Sequence, residues 1–380
     1  MTVRVNKPAF NIREKLSELE RPIGLKGSEL MKSETVQEAR DFISAGRKNI
    51  LINGDFRIAQ RGTSSNSMAG NVYATVDRFF SYTANTNGTV TQTQDDDTPF
   101  GIGYSFKFES SNTGSPTNTS YYGIQQRVEG NHCADAIVYG STVSFWVKSN
   151  KSGLFPIAVF QNDSNNVTTR YSTQAYVNGN GTWQYITKYI PPGPAANNPR
   201  NDNAASYYLD ISMQAGSAYA FTSGQLNNWV QSGSVAGPNF GLCESNGNYI
   251  QFAMIQVEVG KNATEFEHRS YGEELALCQR YCQSFDGRIA IGNWNGPTGA
   301  LVVRYLNPPM RIAPSIHSYT AGRCLVEAVA WYNVGSVSIQ SETTNTSVVF
   351  TLSSVANSGQ SVNANAMWGN GASVVLQAEL

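Results

Sequence analysis

The chain is poor in charge: only 14% of its 380 residues are Asp, Glu, Lys or Arg, the formal net charge is −1, and the basic residues are scattered. That balance leaves no electrostatic footprint for nucleic acid or for an anionic membrane surface, and both drop out as partners. Long apolar runs are missing as well. None reaches the roughly 18 residues of a membrane span, and MTVRVNKPAFNIREK lacks the apolar stretch of a secretion signal, so neither membrane insertion nor export by that route is expected. Histidine occurs only at positions 132, 268 and 317, none of them in a motif for nucleophilic catalysis. The five cysteines are odd in number and follow no framework spacing, which points to reduced thiols made in a cytosol. Release by lysis would still carry such a protein outside a cell.

Gly, Asn, Ser and Thr are abundant instead, and Tyr and Phe are frequent, the balance of many short strands joined by polar turns. Residues 1–48 differ from the rest. NIREKLSELERP reads as a helix capped by Asn11, with Ile12, Leu16 and Leu19 on one face and Pro22 as its stop. SETVQEARDFISAG reads as a second, starting at Ser33 and ending at Gly46. Two such helices are too small to bury their stripes alone and must lie on the body, on sister chains or on another protein.

From Asn49 onward the period changes to two. STVSFWVKS alternates Val143, Phe145 and Val147 against Ser144, Trp146 and Lys148, and YYLDISM puts Tyr207, Leu209, Ile211 and Met213 on one side. The expected fold is mainly β: tandem jelly-roll β-sandwiches behind a short helical N-terminal segment. The expected divisions are a helical segment 1–48, a jelly roll 49–269, a connecting helix 270–284 and a small sandwich 285–380.

Several stretches invite chemistry. NILINGDFRIAQRG reads as a first strand beginning at Asn49–Ile52, a turn at Asn53-Gly54 and a corner at Gln60–Gly62, with Asp77-Arg78 as a local pair nearby. Asp95–Asp97 lack alternating ligand spacing and read as a solvated turn rather than a calcium loop. In EFEHRSYGEELALCQRYCQ, Cys278 and Cys282 share a helix face with Leu275 and Tyr271, which is core spacing. Zinc would want two further ligands, and His268 lies outside that helix. No metal or cofactor is expected. Sugar recognition by a sandwich would use loop aromatics that stack on pyranose faces, and the candidates are Trp294, Trp368, Trp229 and Tyr122. Each also has a reading as a lid on the core or a subunit contact.

AGRKNILINGDFRIAQRGTS (Ala45–Ser64), TVDRFF (Thr75–Phe80), IQVEVGKNATEFEHRSYGEELALCQRYCQ (Ile255–Gln283), NPPMRIAPSI and the closing LQAEL resemble phage tail-fibre or virion appendage proteins carrying a carbohydrate-binding-module-like jelly roll. NKPAFNIREKLSEL is similar to tail-associated proteins of phages infecting marine cyanobacteria. The resemblance implies a non-enzymatic part of a virion, made in the host cytoplasm and assembled as a homotrimer. It would join other virion proteins through residues 1–48 and face a host-surface glycan. A capsid-decorating protein would suit the same sequence. A polysaccharide-degrading tailspike would need only two carboxylates at a set separation, but such enzymes bring long repetitive solenoids, and no repeat of that kind is visible.

Overall fold

The computed structural model describes residues 48–380 apart from 67–70, 86–87, 115–116, 223, 232–236, 297, 328–329 and 356–363. The two helices expected within residues 1–48 lie outside the described residues.

The chain is mainly β, and its strand ladders are antiparallel. One sheet runs, in spatial order, β1 (Ser64–Ser65), β3 (Thr89–Asp95), β4 (Ser105–Asn112), β12 (Tyr249–Val259), β6 (Ser141–Ser149) and β9 (Gln184–Ile190). The second runs β11 (Trp229–Gln231), β8 (Thr168–Val177), β7 (Gly153–Asn162), β10 (Ala205–Ala215), β5 (Tyr121–Glu129) and β2 (Phe80–Ala84). The period-two pattern decides what lies between them. Phe106, Phe108, Phe145 and Phe252 from the first sheet meet Tyr122, Phe155, Tyr207 and Ile211 from the second in one buried core. Their rings interlock, Phe145 tilted against Phe155 at 6.3 Å and Phe108 edge-on to Tyr122 at 6.0 Å between centroids. Helix α1 (Gly130–Tyr139) adds Cys133, Ala136 and Ile137 to the same core.

A second sandwich follows. A three-stranded sheet, β13 (Cys282–Asp286), β22 (Ser373–Gln377) and β16 (Ser315–Thr320), shares a core with a seven-stranded one. The latter runs β18 (Ala330–Asn333), β17 (Arg323–Val326), β21 (Asn365–Gly369), β14 (Ala290–Trp294), β15 (Ala300–Tyr305), β20 (Ser347–Ser353) and β19 (Ser336–Ile339).

Residues 49–62 are not the strand their alternation suggested. They form a buried irregular segment in which side chains replace ladder partners. Gln126 clamps Ile52, accepting from its N–H at 2.7 Å and donating to its carbonyl at 2.8 Å. Asn53, itself left-handed at φ 62°, accepts from Ile58 N at 2.9 Å and donates to Ile58 O at 2.8 Å and Asp77 O at 2.9 Å. Phe56 goes into the first core, whereas Ile52 and Ile58 pack on Cys278 and Tyr281.

Helix α2 (Tyr271–Gln279) opens on a full capping box, Ser270 with Glu273, and is shorter than the expected 270–284. It stops because Cys282 enters β13 and pairs with Gln377. Cys278 and Cys282 are therefore both buried but share no helix face, and Tyr271, expected on that face, is exposed. Burial pushes both thiols well above their ordinary range, so neither is a ready nucleophile or ligand.

Around α2 the two sandwiches are joined by buried charge. Glu379 takes Arg61 at 2.9 Å and Arg78 on its other oxygen, all three side chains nearly inaccessible. Arg78 also lies 3.5 Å over the Tyr281 ring and donates to Arg127 O at 2.6 Å, and Arg127 in turn donates to Leu380 O at 2.8 Å. Glu129 receives Arg280 at 3.0 and 2.9 Å and the Tyr281 hydroxyl at 2.5 Å. Asp77 and Arg78 are thus not a mutual pair. Asp77 accepts from the Gln60 side chain at 2.6 Å, and burial pushes its carboxyl up to about 6 although Arg61 and Gln60 pull the other way. Glu379→Ala would strand the buried Arg78 and leave Arg61 only Asp77 at 3.5 Å, and breaking comparable buried pairs costs about 3–5 kcal/mol. Urea unfolding should show that loss as a lower midpoint; an unchanged midpoint would mean the joint holds without this carboxylate.

Candidate functional site

The outer face of the first sheet carries an aromatic shelf. Because Val143, Phe145 and Val147 point inward on β6, Trp146 and Lys148 must point outward, and the register sets Trp146 beside Tyr185 of β9. Their rings are 5.2 Å apart. On the other side Phe100 meets Trp146 edge-on, 5.2 Å between centroids at 85°. Phe100 is 60% exposed and Tyr185 45%, a large apolar surface for side chains with no core to fill.

Phe100 reaches the shelf through the loop DDDTPFGIGY, which turns back over the sheet at Gly101 and Gly103, both in the left-handed region at φ 67° and 78° where a side chain would be strained. Asp97 anchors that loop. Its carboxylate pairs with Lys148 and accepts from Trp183 Nε1 at 3.3 Å, and its N–H donates to Asp95 Oδ1 at 2.9 Å. The little burial Asp97 has would raise its pKa, but Lys148 and Trp183 outweigh it and hold the carboxyl below its ordinary value. Gln251, next along the sheet, donates to Ser105 Oγ at 2.7 Å. Gln251 is itself buried and supports the shelf from beneath, whereas flat apolar rings beside an ammonium and a carboxylate make a surface suited to a polyhydroxylated ligand, which has apolar C–H faces and hydroxyls at its rim.

The second sheet treats its outer face differently. Arg170, Ser172, Asp210 and Ser212 point away from the core yet are buried. Tyr219 meets Tyr121 edge-on and the Asn227 N–H donates to Ser172 O, so the chain after β10 runs along this face. Asp210 accepts from Tyr82 at 2.5 Å, Gln125 at 3.2 Å and Ser212 at 3.3 Å. Burial nonetheless pushes its carboxyl up to about 7. This face is closed, and the shelf is open.

The four aromatics expected from sequence fall elsewhere. Trp294 and Trp368 are among the most deeply buried side chains, packed in the second core; strand parity turns them inward despite their glycine neighbours. Trp368 spends its indole N–H on Ala321 O at 2.6 Å. Tyr122 likewise points into the first core, and the residue before it, Tyr121, takes the outer face. None of the three has a ring face to offer a sugar. Trp229 is half-buried against the first core, stacked on Tyr171 and bonded through Nε1 to Pro191 O at 3.2 Å. The outward place of Trp146 was legible in the alternation, and Asp97 was visible in the acidic run. Phe100, Trp183 and Tyr185 carried no signal, because a loop crossing and a strand pairing bring them there.

His132 and His268 are exposed, and His317 rests on Gln377 at 3.1 Å. Among the described residues, no three of His, Cys, Asp and Glu gather as a metal-holding group.

No protein-family model matches the sequence, and no curated protein matches it. Among solved structures, the chain is similar to the family 11 carbohydrate-binding module of Clostridium thermocellum. The identity is 13% and the TM-score 0.28, covering 53% of this chain and 99% of that one. A family 30 carbohydrate-binding module aligns at 8% identity and a TM-score of 0.29, over 60% of this chain and 97% of that one. The enzymatically active domain of tailspike protein 4 of bacteriophage CBA120 aligns at 12% and 0.30 over 56% of this chain, which spans about a fifth (21%) of that protein's length. With TM-scores this low, the functional reading rests on the chain's own geometry.

Asp210 provides a pH test of the closed face. Its proton is held to about pH 7 in the folded chain but released near 3.8 in the unfolded one, so between those values the folded state binds more protons. Its contribution is therefore most favourable below about pH 4, is lost as pH rises through about 7, and is constant above that. Asp210→Asn should raise the melting temperature, relative to the parent, more at pH 8 than at pH 5. Equal shifts at the two pH values would show Asp210 ionised throughout.

Proposed function

We propose that this chain is a non-enzymatic component of a phage particle, a tail fibre or tail-associated appendage, that holds a host-surface glycan on the aromatic shelf of its first sandwich. The observation that carries the glycan half is the row of exposed Phe100, half-buried Trp146 and exposed Tyr185 beside Asp97 and Lys148. Stacking on the rings would supply affinity, and the polar rim would select among hydroxyl arrangements. The particle half is supported by the resemblance of Ala45–Ser64 and Ile255–Gln283 to phage appendage proteins, with residues 1–48 assigned to attachment to other virion proteins.

Binding without cleavage is the reading the shelf supports, because a stacking surface needs no nucleophile or proton donor. Purified chain is expected to retain one class of bacterial surface polysaccharide on an array. Trp146→Ala should weaken that binding at least tenfold, about 1.4 kcal/mol, and Trp368→Phe should not. No retained glycan, or equal retention by Trp146→Ala, would sink the shelf as the site. Shortening of the bound polysaccharide during incubation would overturn the non-enzymatic half.

A further inference from the structure

The seven-stranded sheet of the second sandwich carries an apolar row on its outer face. Trp331 on β18 lies opposite Leu325 on β17, Leu325 opposite Met367 on β21, and Met367 opposite Ile291 on β14. Ile291 then lies opposite Val303 on β15, and Val303 opposite Val349 on β20. Directly opposed residues of an antiparallel pair point to the same face, so six neighbouring strands each contribute one apolar side chain to an unbroken row. Ile291 is 69% exposed, and with Leu325, Met367 and Val303 it lines an open groove of about 560 Å³. No residue of the row is charged. An outer sheet face solvated in a single chain would carry polar residues at these positions.

The order of the row identifies its cover. Its first half, Trp331, Leu325 and Met367, is bulky, and its second half, Ile291, Val303 and Val349, is β-branched. Lay a second copy face to face on the first, related by a two-fold axis parallel to the strands and passing between Met367 and Ile291. Trp331 then meets Val349 of the copy, Leu325 meets Val303, and Met367 meets Ile291. A bulky residue faces a β-branched one at all six contacts, which is how two apolar faces interdigitate. The same operation reaches the next row. Three antiparallel steps separate β17 from β15, so Arg323, two residues before Leu325, and Tyr305, two past Val303, lie on the same side of the row. The axis sets the Arg323 guanidinium of each copy over the Tyr305 ring of the other, a favourable cation–π arrangement for a tyrosine that is 80% exposed.

The area is that of a weak pairing. The axis pairs six strands, which at roughly 4.8 Å spacing and about five residues each give a face on the order of 480 Å², so two copies would cover about 950 Å². That is just under the roughly 1,000–1,200 Å² at which stable specific interfaces begin, the size of a concentration-dependent association.

We propose that two copies of this chain pair isologously through this sheet face. The interaction is independent of the shelf, which lies on the other sandwich. Sedimentation of the full chain at micromolar concentrations should give Ile291→Glu half the particle mass of the parent. Its far-UV circular dichroism spectrum should match the parent's, since position 291 is exposed and the fold does not depend on it. Equal masses would overturn the pairing. The orientation has its own test. When Trp331→Cys and Val349→Cys chains are mixed with a short bismaleimide, the two variants should cross-link to each other and neither to itself, because like ends lie about 24 Å apart across five strand intervals. Efficient self-linking of either variant would overturn the proposed axis.

Discussion

Glu379 sits between Arg61 and Arg78 where water scarcely reaches, and the relation of the two sandwiches depends on that contact. A buried arginine without a counter-charge is intolerable, and a carboxylate can serve two of them only if both guanidiniums arrive at fixed positions. The constraint propagates outward. Arg61 brings the segment after Phe56, Arg78 brings the approach to β2, and Arg311 holds the backbone of Ala378 and Glu379 at 2.9 and 2.6 Å. Tyr281 completes the joint as a flat surface under Arg78 and as a donor to Glu129. A greasy interface could slide, whereas this one has a single geometry in which every charge is met.

With the joint closed, the sheets of the first sandwich present two outer faces built to opposite ends. One buries its polar row, pushing the Asp210 carboxyl up to about 7, and that stretch of sheet becomes closed structure. The other leaves Trp146, Tyr185 and Phe100 in reach of solvent and ties the loop that delivers Phe100 to Lys148 through Asp97. The two faces differ in this apolar excess, held rigid by the polar contacts around it.

Much of this was legible in the residues. Alternation in STVSFWVKS and YYLDISM assigned inward and outward sides correctly, because strand period is a local property of the backbone. The helix start near Ser270 was equally local, and the structure closes it with a capping box to Glu273. The tryptophan assignments failed for a related reason. Glycine neighbours suggested loops for Trp294 and Trp368, but both sit at the ends of strands whose parity turns them inward. Tyr122 differed from the outward Tyr121 by one residue, the smallest error a period of two allows and one that exchanges the faces completely.

The sequence by itself determined the mainly β character of the chain from Asn49 onward, the side on which each clear strand residue lies, and the helix start at Ser270. These follow from interactions within a few residues. Only the tertiary structure decided that Asn49–Gly62 is buried coil held by Gln126 and Asn53, that Arg78 belongs to Glu379 rather than to Asp77, and that Phe100, Trp146 and Tyr185 form one surface. Apart from the five-residue span from Asn53 to Ile58, the partners are separated by tens to hundreds of residues. Which of many chemically suitable partners meets a side chain is settled by how the sheets pack, and no local pattern carries that information.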